Sequence, residues 1–162
     1  MWWLVSPQNP LKPREGMAGV RQRLGAARAI ARHPRIRVGD LESALGTRYT
    51  ADTVARLRRL LPRTRLVWLM GADNLAQIGR WHRWTLIFHS LSIAVADRPS
   101  YSLRAFAGVA AIRFARARWR ETGARRLAAA EPPAWMFLHG PLNPASATAI
   151  RAGRARGRRI GP

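Results

Sequence analysis

Arg65-Leu66-Val67-Trp68-Leu69-Met70-Gly71-Ala72-Asp73-Asn74 is the stretch on which the fold turns. Residues 65–70 are almost continuously apolar over one strand length, the pattern of a strand buried on both faces. The run ends directly in Gly71, where the missing side chain lets the backbone turn sharply and approach a ligand. A helix starting there would offer open amide protons to an anion. Asp73 then has two readings. It caps that helix, or it accepts from ribose hydroxyls or an adenine amine.

Working outward, the same alternation recurs. Trp2–Val5 is a short apolar run closed by Ser6-Pro7, which reads as a strand and a loop. Turn-formers fill residues 8–13. Met17, Val20, Leu24, Ala27 and Ala31 share one helical face over residues 14–31, and His33-Pro34 stops that helix. Ile36–Gly39 is a second strand. Thr50 reads as the N-cap of a helix with Asp52 in its first turn and Val54, Leu57, Leu60 and Leu61 on its buried stripe. Pro62 ends it, and residues 65–70 follow.

Beyond Asn74, a loop carries Trp81-His82-Arg83-Trp84 and leads to a short helix ending near His89. Leu91–Ala96 reads as a strand, Leu103–Trp119 as one long helix, and Ala134–Leu138 as a strand after Pro132-Pro133. Asn143-Pro144-Ala145-Ser146 caps a last helix through Arg151. Residues 1–152 therefore read as one domain, and 153–162 as a basic tail expected to be disordered. Strands alternating with helices, the strands apolar throughout, imply an α/β fold with a doubly wound parallel sheet. Ligands of such sheets gather at the strands' carboxyl ends, here just after Val5, Met70, Ala96 and Leu138.

Composition sets the outer limits. The 162 residues suffice for one domain with a core, and 48% are hydrophobic. No apolar run approaches the roughly 20 residues that span a bilayer. The first residues lack a basic region and a small-residue cleavage site, so a cytoplasmic location is expected. The absence of cysteine removes disulfides, thiolate nucleophiles and thiolate metal sites. With 29 basic against 8 acidic residues the net charge is +21, which ordinarily suggests a polyanion partner. Lys12 is the only lysine, however, and the arginines are spread over helices rich in alanine. Compositional bias plus a small anionic substrate accounts for that pattern better than a nucleic-acid role.

Four segments could carry chemistry. Gly71–Asn74 is the first. Trp81 offers a flat face to a planar heterocycle, and its π-face favours a pyridinium; alternatively it plugs the core, as expected of Trp84. Thr50 places a hydroxyl beside open amides, suited to a carboxylate or phosphate as well as to capping. Ser146 and Thr148 open a helix with Arg151 one turn on, which suits a polyphosphate or an ordinary cap. His33, His82, His89 and His139 show no metal-ligand spacing, and no nucleophile with its base stands out.

In this order, WWLVSPQNPLK (2–12), RYTADTV (48–54), MGADNLAQIGRWHRW (70–84), DRPSYS (97–102) and ASATAIR (145–151) resemble the bacterial nicotinate-nucleotide adenylyltransferases. These belong to the nucleotidyltransferase α/β-phosphodiesterase superfamily. The resemblance implies a Rossmann-like sheet and adenylyl transfer from ATP, carried with Mg²⁺, to nicotinate mononucleotide. No resident metal site is implied. It assigns Thr50 to the nicotinate carboxylate, Trp81 and His82 to the pyridine ring, and Gly71 and Asp73 to the nucleotide's ribose and phosphate. Lys12 falls in the substrate loop. Ser146, Thr148 and Arg151 match a Ser-Ser-Thr-x-Ile-Arg phosphate motif, with Ala147 replacing its second serine.

The resemblance fails at the front. The family opens with a strand, the run Gly-Gly-Ser-Phe-Asp-Pro-x-His-x-Gly-His that meets the ATP phosphates, and a helix; no such run occurs in these 162 residues. Met1 aligns with the family's second strand, so the fold is expected to lack the first strand and helix and the chain to be weak or inactive as a catalyst. In the implied 3-2-1-4-5 order, the absent strand falls between Trp2–Val5 and Arg65–Met70. Its neighbours then lose ladder hydrogen bonds or pair directly. Two other readings are a basic polyanion-binding protein and a non-catalytic remnant that binds the mononucleotide. A homo-oligomer is compatible with all three.

Overall fold

The computed structural model describes residues 1–7 and 18–142. The expected substrate-loop residue Lys12, the phosphate motif Ser146, Thr148 and Arg151, and the basic tail lie outside those residues. The described chain is an α/β structure in which every strand pairing is parallel. Its strands are β1 (Trp2–Leu4), β2 (Arg37–Gly39), β3 (Val67–Gly71), β4 (Ser92–Ala96), β5 (Arg118–Trp119) and β6 (Trp135–Leu138). The helices are α1 (Val20–Ile30), α2 (Leu41–Leu45), α3 (Thr50–Leu60), α4 (Ala72–Gln77), α5 (Trp84–Ser90), α6 (Ser102–Phe106) and α7 (Val109–Arg113).

The strands form two sheets. One holds β1 and β2, and the other runs in the order β3-β4-β6-β5. β1 and β3 therefore do not pair with each other. Each sits at the end of its own sheet.

Register explains which side of the larger sheet is the core. Trp68 lies opposite Ile93 and Met70 opposite Val95, while Ile93 and Val95 lie opposite Trp135 and Phe137. All of these face one side, where they pack with Val54 of α3, Leu75 of α4, Ile87 and Phe88 of α5 and Ala110 of α7. The opposite side is covered by a stretch of 3₁₀ helix, Glu121–Ala129, whose Leu127 packs on Ala94, Ala134 and Met136. That cover reaches β4 and β6. Val67 and Leu69 alternate onto the same side of β3 and remain 37% and 52% exposed.

The single long helix expected over residues 103–119 is instead α6, a corner, α7, a 3₁₀ turn and β5. Gly108 makes the corner: its backbone is extended, and a Cβ there would stand 3.1 Å from the Ala105 carbonyl oxygen and 3.5 Å from Cα of Ala76. The chain passes too close to α4 for a straight helix. Alanine and arginine favour helix on propensity alone, and the packing overrides it. The segment 41–45 also forms the helix α2, ended by Gly46 in the left-handed conformation (φ 64°). It is one turn long, too short for periodicity to show.

Candidate functional site

Parallel register brings the carboxyl ends of β3 and β4 side by side, with Gly71 opposite Ala96. Two residues past each end, Asp73 and Arg98 meet at 3.9 Å. Gly71 is the N-cap of α4, and no side chain caps that helix, so the capping role considered for Asp73 is not the observed one. A Cβ at position 71 would collide with the Asp73 carboxylate and lie 3.0 Å from Nε of Arg98. Both atoms end flexible, half-exposed side chains, so a Cβ at 71 would push the Asp73–Arg98 pair out of its present position. Arg98 is held from below, since Asp97 accepts from the Arg98 backbone amide at 2.7 Å and from the Ser102 hydroxyl.

The second part of the site joins α3 to the loop before α5. The N-cap of α3 is Tyr49, not Thr50, and no side chain caps it. The Tyr49 carbonyl instead accepts the amides of Asp52 and Thr53, both at 3.0 Å. The Thr50 hydroxyl, on the first helical residue, is left beside a helix end without side-chain caps, a favourable place for an anion. The Tyr49 ring lies 4.5 Å from that of His82, and Arg83 reaches Asp52 at 3.9 Å. These two contacts bring Thr50 and His82, far apart in sequence, to neighbouring elements.

Arg83 has φ 48° and ψ 37°, the left-handed region, which costs a non-glycine residue roughly 1–2 kcal/mol. The turn it makes reverses the chain between the 3₁₀ turn Ile78–Arg80 and α5. Trp84 then points into the core, edge-on to Phe88 and Phe114 at 6.0 Å, as expected of it. Trp81 is partly buried against the same core.

Tyr49, Arg83 and Arg98 were not singled out by sequence reasoning, although each lies inside a quoted motif. Their roles depend on a tertiary neighbour that no local pattern shows. Glu42 is the other surprise. It is buried on α2, and desolvation raises its carboxyl pKa above the ordinary range, opposed by a hydrogen bond with Ser6. Ser6 stands just past β1, and Arg23 of α1 binds the Ser6 and Pro7 carbonyls at 2.6 and 2.7 Å. Among the described residues no group of three or more acidic or imidazole side chains is placed to hold a metal. No helix there is long and apolar enough to cross a membrane.

Gly71, Asp73 and Arg98 thus meet at the carboxyl ends of a parallel sheet, where such sheets bind their ligands, and the sequence comparison gives the class. The profile of the Cytidylyltransferase-like family matches residues 1–153; the chain belongs to that family of nucleotidyltransferases. Its relatives narrow the class. A Cereibacter sphaeroides protein (strain ATCC 17025) named "Probable nicotinate-nucleotide adenylyltransferase" is 54% identical over 152 residues, covering 94% of this chain and 80% of that protein. Proteins of the same name from Bradyrhizobium sp. (strain ORS 278) and Ruegeria pomeroyi are 50% and 49% identical, covering 93% and 94% of this chain and 79% and 71% of theirs.

Proposed function

We propose that this chain serves adenylyl transfer from ATP to nicotinate mononucleotide, within NAD biosynthesis. The observation that carries the reading is the junction of α3 with the tryptophan loop. Tyr49 against His82 and Asp52 against Arg83 tie the start of α3, where Thr50 stands, to the loop that carries Trp81, which supports the reading. A hydroxyl and open amides suit a carboxylate; an indole suits a pyridinium. A ligand carrying both groups is a nicotinate.

In the reaction, a phosphate oxygen of the mononucleotide attacks the α-phosphorus of ATP. The new O–P bond forms as the bond to the β-phosphate oxygen breaks, and pyrophosphate leaves with that electron pair. The protein needs no nucleophile for this; it aligns the two phosphates and offsets charge. Thr50, Trp81 and His82 hold the pyridine end, Gly71 and Asp73 the nucleotide's ribose and phosphate, and Lys12 the substrate loop. Ser146, Thr148 and Arg151 grip the ATP phosphates, and Mg²⁺ enters as part of the ATP complex. This polypeptide assayed alone is a weak catalyst, because a run of phosphate-binding histidines is not among its residues. Losing one charge-stabilising group costs roughly 10²–10³ in rate.

Isothermal titration with nicotinate mononucleotide, followed by a turnover assay with ATP, tests the reading. The wild type should bind one mononucleotide per chain, and Trp81→Ala should weaken binding about tenfold. Indifference of binding to Trp81→Ala, with the fold intact, defeats the assignment. Turnover equal to that of a relative carrying the histidine run defeats the claim of weak catalysis. A polyanion-binding role has one observation in its favour: the described ion pairs occupy only two arginines, Arg83 and Arg98. It requires nucleic-acid affinity that falls steeply with salt.

A further inference from the structure

Behind the Thr50 end of α3 lies a pair of hydroxyls, Thr53 buried and Thr47 half-buried. Thr53 is fully buried beside Ala51, Val54 and Leu57. Its hydroxyl is 2.8 Å from that of Thr47 and 3.2 Å from the Tyr49 carbonyl oxygen. Each hydroxyl has one proton to give. The consistent assignment has Thr53 donating to Tyr49 and Thr47 donating to Thr53, since the Thr47 hydroxyl meets its alternative acceptor, the Glu42 carbonyl, only at 3.5 Å. Thr47 is fixed in turn by its own backbone amide, which donates to that Glu42 carbonyl at 2.9 Å.

The ordinary account of a helical threonine bonded to the carbonyl four residues back is a local habit with little consequence. Here the hydroxyl also accepts from Thr47, outside the helix. Valine would fill the same volume without the cost of burying a polar group. What the hydroxyls add is direction. Through Tyr49 O they fix the backbone of the N-cap whose ring lies against His82, one residue before Thr50.

We propose that Thr47 and Thr53 are positioning residues, a linked hydroxyl pair that sets the Tyr49–Thr50 end of α3 for the pyridine nucleotide. This deepens the function proposed above and rests on it. Three variants decide the matter: Thr53→Val, Thr53→Ser and Thr47→Val. Titration with nicotinate mononucleotide and separately with ATP, amide hydrogen exchange over residues 49–53, and the melting temperature are measured on each.

Thr53→Val and Thr47→Val should each weaken mononucleotide binding about tenfold and the double variant no further, because one coupled pair is lost. ATP affinity should stay within about twofold, and the melting temperature within a few degrees. Exchange at residues 49–53 should accelerate, and Thr53→Ser should restore both readouts. Mononucleotide binding by Thr53→Val within twofold of wild type overturns the proposal. So does equal loss of ATP and mononucleotide affinity, or failure of Thr53→Ser to restore binding. If the wild type itself binds no mononucleotide, the proposed function falls, and the exchange data alone decide whether the pair orders the α3 end.

Discussion

β3 and β4 are paired residue for residue, run the same way and are both apolar, yet they live in different surroundings. Every residue of β4 but the last is buried, whereas β3 buries Met70 alone. β4 has a strand on each edge and cover on each face. β3 has β4 on one edge; among the described residues its other edge carries no strand, and no described element shields Val67 and Leu69. Apolar composition thus states what a strand is suited to, and the neighbours decide what it gets. The β1–β2 pair repeats the lesson, with Trp2 and Trp3 both exposed.

The difference can be broken by burying charge where the packing is complete. Val95→Asp in β4 places a carboxylate among Met70, Ile87 and Phe137, and should cost more than about 4 kcal/mol, so that thermal melting shows no cooperative transition. The tryptophans then sharpen the contrast. Trp135 Nε1 donates to the Phe114 carbonyl at 2.8 Å in the buried interior, while Trp68 Nε1 is buried with no acceptor among the described residues. Trp135→Phe should destabilise by about 2 kcal/mol, from a lost bond and lost volume. Trp68→Phe should stay within about 1 kcal/mol of wild type, because removing an unsatisfied donor offsets the smaller ring. Denaturant midpoints of the two variants compare them directly; equal losses would mean that the environments of β3 and β6 are equivalent.

Smaller effects belong to the β1 side. Because burial raises the Glu42 pKa in the folded state, the native chain binds its proton more tightly than the unfolded chain. Stability from this group is therefore full below the ordinary carboxyl range and declines as pH rises through the raised value. Glu42→Gln should flatten that decline, seen in melting curves taken from acid to neutral pH; an unchanged slope would assign it to other groups. Smallest in stability is Leu69→Lys on the exposed face of β3, expected within about 0.5 kcal/mol of wild type. Its signature is instead reduced self-association in sedimentation, as charge blunts an exposed strand.

Much of the scaffold could be read in advance, for definable reasons. Residues 65–74 announce β3 and the glycine turn because strand length, apolar run and turn residue coincide. The Thr50 helix ends close to where periodicity puts it. Asp73 lies just past the end of β3, Thr50 on the first residue of α3, and Trp81 and His82 between a 3₁₀ turn and α5, all near the positions the motifs gave them. What escaped is what one strand of text cannot hold. Gly108 breaks a promising helix only because α4 passes behind it. Thr50 yields the N-cap position to Tyr49, whose backbone does the work with no favoured side chain. Arg98 matters because β3 and β4 end in register, a fact of pairing and not of spacing.

That one side and one edge of β3 are uncovered among the described residues also bears on how the protein behaves as a colloid. An edge able to template strand pairing is kept apart from its copies by the +21 charge on every molecule. That repulsion reaches only about 8 Å at 0.15 M salt and about 3 Å at 1 M. Added salt should therefore lower the solubility limit of this chain, with Leu69→Lys less sensitive. A complex held together with a polyanion would respond the other way, dissolving as the salt rises.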